Sequence, residues 1–220
     1  MPPPEPPPFS IWVFLGLLAV FGVSCLMFWL HVRRWTHNRL WVALGDWAAT
    51  NRFKLFRSDR ASVPAPLSEL TAPPPQALIG LTGKWTTILQ METPAGVAQG
   101  GVGQPRRWNV LVREIDADWP TTALRPSAHE RSLVDLFNLA SFPALLSSER
   151  YTIHGTESSA ARAVVGSMLM ALLPHDLGLV LHGGRLIIDF STRPFDGIEL
   201  SRIVALAEQL AGQLPAGKKG

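Results

Sequence analysis

The sequence predicts an α+β protein with one N-terminal transmembrane helix, followed by a soluble domain of mainly antiparallel strands packed with two C-terminal helices. Three observations support this fold class. Residues 9–30 form an apolar run of 22 residues without charge or proline. Short segments of alternating apolar and polar residues follow, bounded by Gly, Pro and Asn, as is typical of strands. Two segments with a period near 3.6 residues lie in the C-terminal third.

The apolar run at residues 9–30 is long enough to cross a membrane. A helix of that length measures about 33 Å, against a hydrocarbon core of about 30 Å. A cleaved signal peptide has a basic start and an apolar core of about 7–15 residues, whereas Glu5 is the only charged residue before this run. We therefore expect a retained span, preceded by a Pro-rich extracytoplasmic lead at residues 1–8.

Charge is concentrated directly after the span. Residues 31–60 hold seven basic and two acidic residues, whereas residues 61–220 hold thirteen basic and fourteen acidic ones. Basic residues next to a span stay on the cytoplasmic side of the membrane, where anionic lipid headgroups stabilise them. The sequence thus predicts an inner-membrane protein with its N-terminus outside and its domain in the cytoplasm. The candidate lipid-headgroup-binding residues are Arg33, Arg34, Arg39, Arg52, Lys54 and Arg57.

Small residues within the span are candidates for helix packing. Gly16, Ala19 and Gly22 permit close approach of a second helix. Cys25, the only cysteine, lies in the same run, so no disulfide partner is expected and a reducing compartment fits.

Residues 31–60 form a basic juxtamembrane segment with two predicted parts. Helical character continues to Asn51, which is expected as a left-handed C-cap. The apolar face of this part comprises Leu40, Leu44, Trp47 and Ala48. Residues 52–60 then form either a strand or a stretch lying on the lipid surface, and the pattern favours the strand. Residues 61–76 are a Pro-rich connector.

The predicted domain covers residues 77–214 and starts with strands. Residues 77–81 and 85–91 flank a turn at Thr82-Gly83-Lys84. Residues 107–115 form a further strand. Residues 121–126 read as a short edge segment, and residues 132–139 as a short helix or turn.

The C-terminal third begins with a strand at residues 150–154 and a helix at residues 158–173. Thr156 or Ser158 is the expected N-cap, and Pro174 ends the helix. The predicted buried face of this helix comprises Ala161, Val165, Met168 and Leu172.

A β-hairpin is predicted around Gly183-Gly184, because two glycines between apolar runs favour a two-residue turn. Its predicted core face comprises Leu179, Leu181, Leu186, Ile188 and Phe190. Asp196 is expected to cap the last helix, with Glu199 completing a capping box. The predicted buried face of that helix comprises Leu200, Ile203, Val204, Ala207, Leu210 and Ala211. Residues 215–220 form a tail.

No motif assigns a catalytic residue, a metal site or a cofactor. The phosphate-binding pattern G-x4-G-K-S/T fails, because Trp85 follows Gly83-Lys84. The histidines of the soluble part are not at metal-ligand spacing.

The C-terminal third resembles a group of uncharacterised bacterial membrane-anchored proteins with one or two N-terminal spans and a cytoplasmic α+β domain. The resemblance rests on residues 151–156, Ala161-Arg162, Gly183-Gly184 and the closing helix. It covers about residues 75–212 in the order of elements and transfers no site residue.

These observations predict a non-enzymatic scaffold or accessory subunit of a membrane protein assembly, with membrane lipids and other membrane protein subunits as partners. Nucleic acid is not expected, because residues 61–220 show no basic excess. Two alternatives remain. One is a membrane-tethered enzyme, hydrolase-like, using His175 or His154. The other is an anionic-lipid surface sensor using Arg52, Lys54 and Arg57 with nearby phenylalanines.

Overall fold

The computed structural model describes residues 11–57, 67, 76–93, 106–127, 132–136 and 142–214, without the side chains of residues 33–38, 76, 93, 106, 133 and 136. The chain divides into two compact units, Met1–Ala43 and Leu44–Gly220. Helix α1 extends over Ile11–Thr50, so helical structure continues past the span as predicted. Its last two turns belong to the second unit, where Leu44 and Ala48 are buried.

The second unit contains a seven-stranded antiparallel sheet, which confirms the α+β fold class. β1 (Lys54–Arg57) pairs with β2 (Gln76–Thr82), so the strand interpretation of this basic segment is confirmed. β2 pairs in turn with β3 (Thr86–Thr93) across the predicted turn. The left-handed residue after α1 is Arg52 (φ 62°) and not Asn51. Asn51 instead uses its amide Nδ2 to donate to the Trp47 carbonyl at 2.8 Å.

The centre of the sheet is β4 (Arg106–Pro126), a single strand of 21 residues. Its first half pairs with β3 and its second half with β6 (Tyr151–Gly155). Both halves also pair with β7 (Gly178–Asp189). The prediction of an edge segment at residues 121–126 was therefore wrong, because these residues lie between two neighbouring strands.

The predicted hairpin at Gly183-Gly184 was also wrong, because β7 continues through both glycines along β4. Leu186 pairs with Arg113 and not with Leu181. A type I′ turn needs positive φ at both central residues, and only Gly183 has it (φ 56°). Gly183 lies opposite Trp119 with register shifts on both sides. The extra residues lie in β4, which advances five positions from Glu114 to Trp119 while β7 advances two from Arg185 to Gly183, so the glycines lie opposite a bulge of β4.

The five residues predicted for the core face of this segment are all fully buried, as expected. Val180 and Ile187 are buried too, and they join the cluster formed by Leu67, Val134 and neighbouring strands. Because side chains alternate along a strand, the residues flanking Val180 and Ile187 face the opposite side. The last helix, Gly197–Gln213, contacts β4 and β7, so β7 is covered on both faces.

The predicted helix at residues 158–173 is broken into α3 (Ser158–Gly166) and α4 (Leu169–Leu172), with Ser167 extended between them. The Ser167 hydroxyl donates to the Val164 carbonyl at 2.6 Å and accepts from the Leu169 N–H at 3.3 Å. Serine competes for backbone groups in this way, and the preceding glycine weakens the helix. The predicted buried face was wrong at Val165 and Met168, which are exposed, whereas Ala161 is buried and Leu172 is half-buried. Within α3 the buried residues are Ala160, Ala161 and Val164, so the core side of this helix is turned away from Val165.

The cap of α3 also differs from the prediction. Glu157 occupies the N-cap position, without a side-chain hydrogen bond to the helix. Two short elements complete the fold: α2 (Leu133–Leu136), within the predicted short helix, and β5 (Ala144–Ser147), which the sequence did not reveal. β5 pairs with β6.

The last helix, α5 (Gly197–Gln213), begins as predicted. The Asp196 carboxylate accepts hydrogen bonds from the N–H groups of Ile198 at 3.1 Å and Glu199 at 2.9 Å. Its buried residues, Leu200, Ile203, Ala207 and Leu210, belong to the predicted face. Glu199 is not engaged as the capping box predicts; its carboxylate binds Arg193 instead.

Candidate functional site

The first candidate region is the apolar part of α1. Residues Ile11–Val32 form a helix of 22 residues with a mean hydropathy of 2.5, long and apolar enough to cross a membrane. This helix starts two residues after the predicted span, at the first described residue. Gly16, Ala19 and Gly22 all lie on its exposed surface, and a Cβ at either glycine would meet nothing within 4 Å. These three positions are open to a second helix, and their role in packing stays a prediction.

The predicted headgroup-binding residues fall into two separate groups. Arg39 lies on α1 within the first unit, whereas Arg52, Lys54 and Arg57 lie in the second unit. All four are exposed. The side chains of the remaining two, Arg33 and Arg34, lie outside the described part of the structure. The basic juxtamembrane segment predicted as one feature is thus divided between the first and the second unit.

The turn between β2 and β3 lies beside the second group of basic residues. Lys54 pairs with Thr82, the last residue of β2. The Phe53 ring packs against the next residue, Gly83, where an added Cβ would lie 3.0 Å from the ring. Lys84 and Trp85 follow and are both exposed. We call Arg52, Lys54, Lys84 and Trp85 the Trp85 surface. The sequence pattern predicted only a turn residue at Lys84 and a strand residue at Trp85.

The end of α1 is held against the start of α5 within the second unit. The Trp47 indole N–H donates to the Ser201 hydroxyl at 2.7 Å. Its ring lies 5.1 Å from the Phe53 ring and would be 3.1 Å from a Cβ added at Gly197. Glycine is therefore needed at residue 197 for this close approach. The last turns of α1 are consequently an integral part of the domain.

Arg193 joins the start of α5 to the turn before β7. Its guanidinium binds Asp176 through two hydrogen bonds of 2.6 and 2.7 Å and Glu199 through a third of 2.6 Å. The Arg193 carbonyl accepts from the Asn109 amide of β4 at 2.9 Å. This Arg193 cluster, defined by Arg193, Asp176 and Glu199, links three parts of the domain. Such bidentate, charge-assisted hydrogen bonds are stronger than hydrogen bonds between neutral groups.

The electrostatics of the Arg193 cluster follow from these bonds. The hydrogen bonds from Arg193 lower the pKa of Asp176, and those to Asp176 and Glu199 raise the pKa of Arg193. Nearby, the buried Tyr151 hydroxyl donates to the Pro174 carbonyl. Burial raises the pKa of Tyr151 to about 12. All these groups are thus held in the protonation states they have at neutral pH, which suits a structural role.

The histidines named for the enzyme alternative lie in different places. His154 Nδ1 lies 3.1 Å from the Phe142 carbonyl oxygen, and His175 is exposed beside Asp176, whose carboxylate is bound by Arg193. Elsewhere on the sheet, His182 Nδ1 lies 2.8 Å from the Thr121 hydroxyl. Within the described ranges, no group of three His, Cys, Asp or Glu side chains is placed to hold a metal ion.

These features define a class of protein: an α+β domain that follows a single N-terminal helix able, by length and composition, to anchor it in a membrane. No family model and no curated protein matches the sequence. Among solved structures, the crystal structure of the mycobacterial trehalose monomycolate transport factor A, TtfA, is similar, with a TM-score of 0.51 and 10% sequence identity. The match covers 79% of this chain and 93% of TtfA. At that identity the likeness shows a shared fold.

Proposed function

We propose that this chain is a single-pass, non-enzymatic accessory subunit of a membrane protein assembly, with its α+β domain in the cytoplasm. The observation that carries the proposal is the shared fold with TtfA, a trehalose monomycolate transport factor that is matched over 93% of its length. We therefore take membrane transport assemblies as the first class of partner to test.

Two features of the chain support an accessory role. The first is the apolar helix Ile11–Val32, which provides an anchor and open glycines for a neighbouring helix. The second is the exposed apolar pair at the α3–α4 break: Val165 is 46% and Met168 62% exposed. The span and the domain thus each offer apolar surface for protein partners.

The test is purification of the tagged full-length chain from native membranes in a mild detergent, with quantitative mass spectrometry of co-purifying proteins. We expect at least one membrane protein in fixed proportion to the chain. Val165→Glu combined with Met168→Glu should lower its recovery if the domain binds it. The matched control is Ala163→Glu, also exposed on α3. Recovery of the chain alone would contradict the accessory role.

The orientation needs a separate measurement. The basic residues after the span predict that the domain is cytoplasmic. A protease added to the outside of spheroplasts should therefore leave residues 44–220 intact and digest them only after lysis. Digestion before lysis would refute this orientation while leaving the accessory role open to the purification test.

A further inference from the structure

We propose that the Trp85 surface binds the anionic headgroups of the membrane in which the chain is anchored. This contact is distinct from the proposed partner binding, and a purified chain suffices to test it. Lys54 and Thr82 are cross-strand neighbours, and the turn from Gly83 to Trp85 continues directly from Thr82.

Trp85 is held in place by its backbone, whereas its side chain faces outward. The Trp85 carbonyl accepts the Glu114 N–H of β4 at 2.9 Å, and the turn is closed by the Gly83 N–H, which donates to the Thr86 carbonyl at 2.8 Å. The Trp85 residue is nevertheless 53% exposed, unlike Trp108 and Trp119 of β4, which are 5% and 7% exposed. A rigidly mounted, exposed indole suits the interface between water and lipid, where tryptophan is enriched.

The charge around this indole matches an anionic leaflet. Lys84 Nζ lies 5.1 Å from the Trp85 ring centre, and Lys54 and Arg52 are exposed alongside. Basic and acidic residues nearly balance over residues 61–220, so this local excess is not a general property of the domain. Glu114, whose N–H binds the Trp85 carbonyl, has Arg185 as its cross-strand neighbour. Each basic residue near an anionic surface strengthens binding about fivefold.

Arg52 provides an independent indication that charge is required here. Its φ of 62° is a left-handed conformation that favours glycine or asparagine. The backbone therefore does not explain an arginine at this position, whereas a headgroup contact does. The same fact supplies a variant expected to preserve the fold, since Arg52→Gly removes the charge and suits the backbone.

The test uses the full chain in lipid nanodiscs with one fluorescent label. Cys25→Ser removes the native thiol, and Thr82→Cys places a label on an exposed residue beside Lys54. Lipids with spin-labelled headgroups quench the label if the surface contacts the membrane. The control label is placed at Met168→Cys, which is exposed on the segment between α3 and α4.

We expect strong quenching at residue 82 in nanodiscs with phosphatidylglycerol and at least fivefold weaker quenching in purely zwitterionic ones. High salt should abolish the difference, and so should the triple variant Arg52→Gly, Lys54→Gln, Lys84→Gln. The label at residue 168 should show little quenching in either lipid. Circular dichroism checks that the variants remain folded.

Two results would overturn the proposal. One is quenching at residue 82 no greater than at residue 168 in anionic nanodiscs, which would leave the Trp85 surface available to a protein partner. The other is equal quenching in anionic and zwitterionic nanodiscs that survives the triple variant, since proximity would then arise without headgroup recognition. The absence of partner proteins in the purification experiment would not change the interpretation of either quenching result.

Discussion

Arg193→Met is the most informative single change in the domain, because it removes three strong hydrogen bonds at once and retains an apolar stem. Removing one partner of a buried ion pair costs about 3–5 kcal/mol. The Glu199 side chain is 8% exposed and that of Asp176 27%, so only Glu199 remains deeply buried without its partner. We therefore expect a loss of about 3 kcal/mol, at the lower end of that range. With a urea slope of about 2 kcal/mol per molar, the unfolding midpoint should fall by about 1.5 M.

The assay is a urea titration of the full chain in a non-ionic detergent, followed by tryptophan fluorescence. The matched control is Arg202→Met. Arg202 contacts the same Glu199 carboxylate at 3.5 Å and is 71% exposed, so it should contribute less than about 0.5 kcal/mol. A midpoint for Arg193→Met no lower than that of the control would refute the idea that the Arg193 cluster stabilises the domain.

The same pair predicts a pH dependence. Because Arg193 lowers the pKa of Asp176 in the folded chain, the unfolded chain binds a proton at higher pH than the folded one. The stabilisation is therefore fully present above the ordinary pKa of an aspartate and is lost as the pH falls through the lower folded value. The gap between wild type and Arg193→Met should narrow over that acidic range. A gap independent of pH there would exclude Asp176 as the source.

Trp47→Phe and Ser201→Ala each remove the same 2.7 Å hydrogen bond, so each should lower the free energy of unfolding by about 1 kcal/mol in the urea titration. The double variant should lose little more than either single variant. Additive losses would contradict a direct bond. Tyr151 is the only tyrosine, so phenolate absorbance reports it alone. The midpoint of this absorbance titration should lie near pH 12 in the folded chain and near pH 10 in urea. The contribution of Tyr151 to stability is therefore lost as the pH rises through that range. Gly16→Leu with Gly22→Leu should abolish co-purification of a partner bound through the span, whereas Phe21→Leu, on the opposite side of the helix, should not. Unchanged recovery of the double variant would argue against this helix face.

Local signals in the sequence predicted those parts of the fold that local contacts determine. The apolar helix, the β2–β3 turn and the Asp196 cap each depend on residues within a few positions of one another. The helix break could have been predicted from the sequence, because Gly166 and Ser167 are both weak helix formers. The exposure of Val165 does not follow from that break, because Val165 lies within α3 and the core is contacted by Ala160, Ala161 and Val164 instead.

The parts that were mispredicted depend on distant residues. The Gly183-Gly184 pair fits a hairpin turn and a strand opposite a bulge equally well, and only the presence of β4 as a long partner decides between them. Arg193 was not singled out for the same reason: its partners Asp176 and Glu199 lie on separate elements, and one sequence gives no measure of that proximity. The Trp85 surface likewise depends on pairing between β1 and β2.

The length of β4 has a consequence for synthesis of the chain. β4 can pair with β3 as soon as residue 126 has been made, but the strand that covers its other edge consists of residues 178–189. Until then one edge of a strand of 21 residues stays unpaired and can act as a template for pairing with other chains. An N-terminal anchor inserted early would keep nascent copies apart in the plane of the bilayer, so the span would protect the domain while it folds.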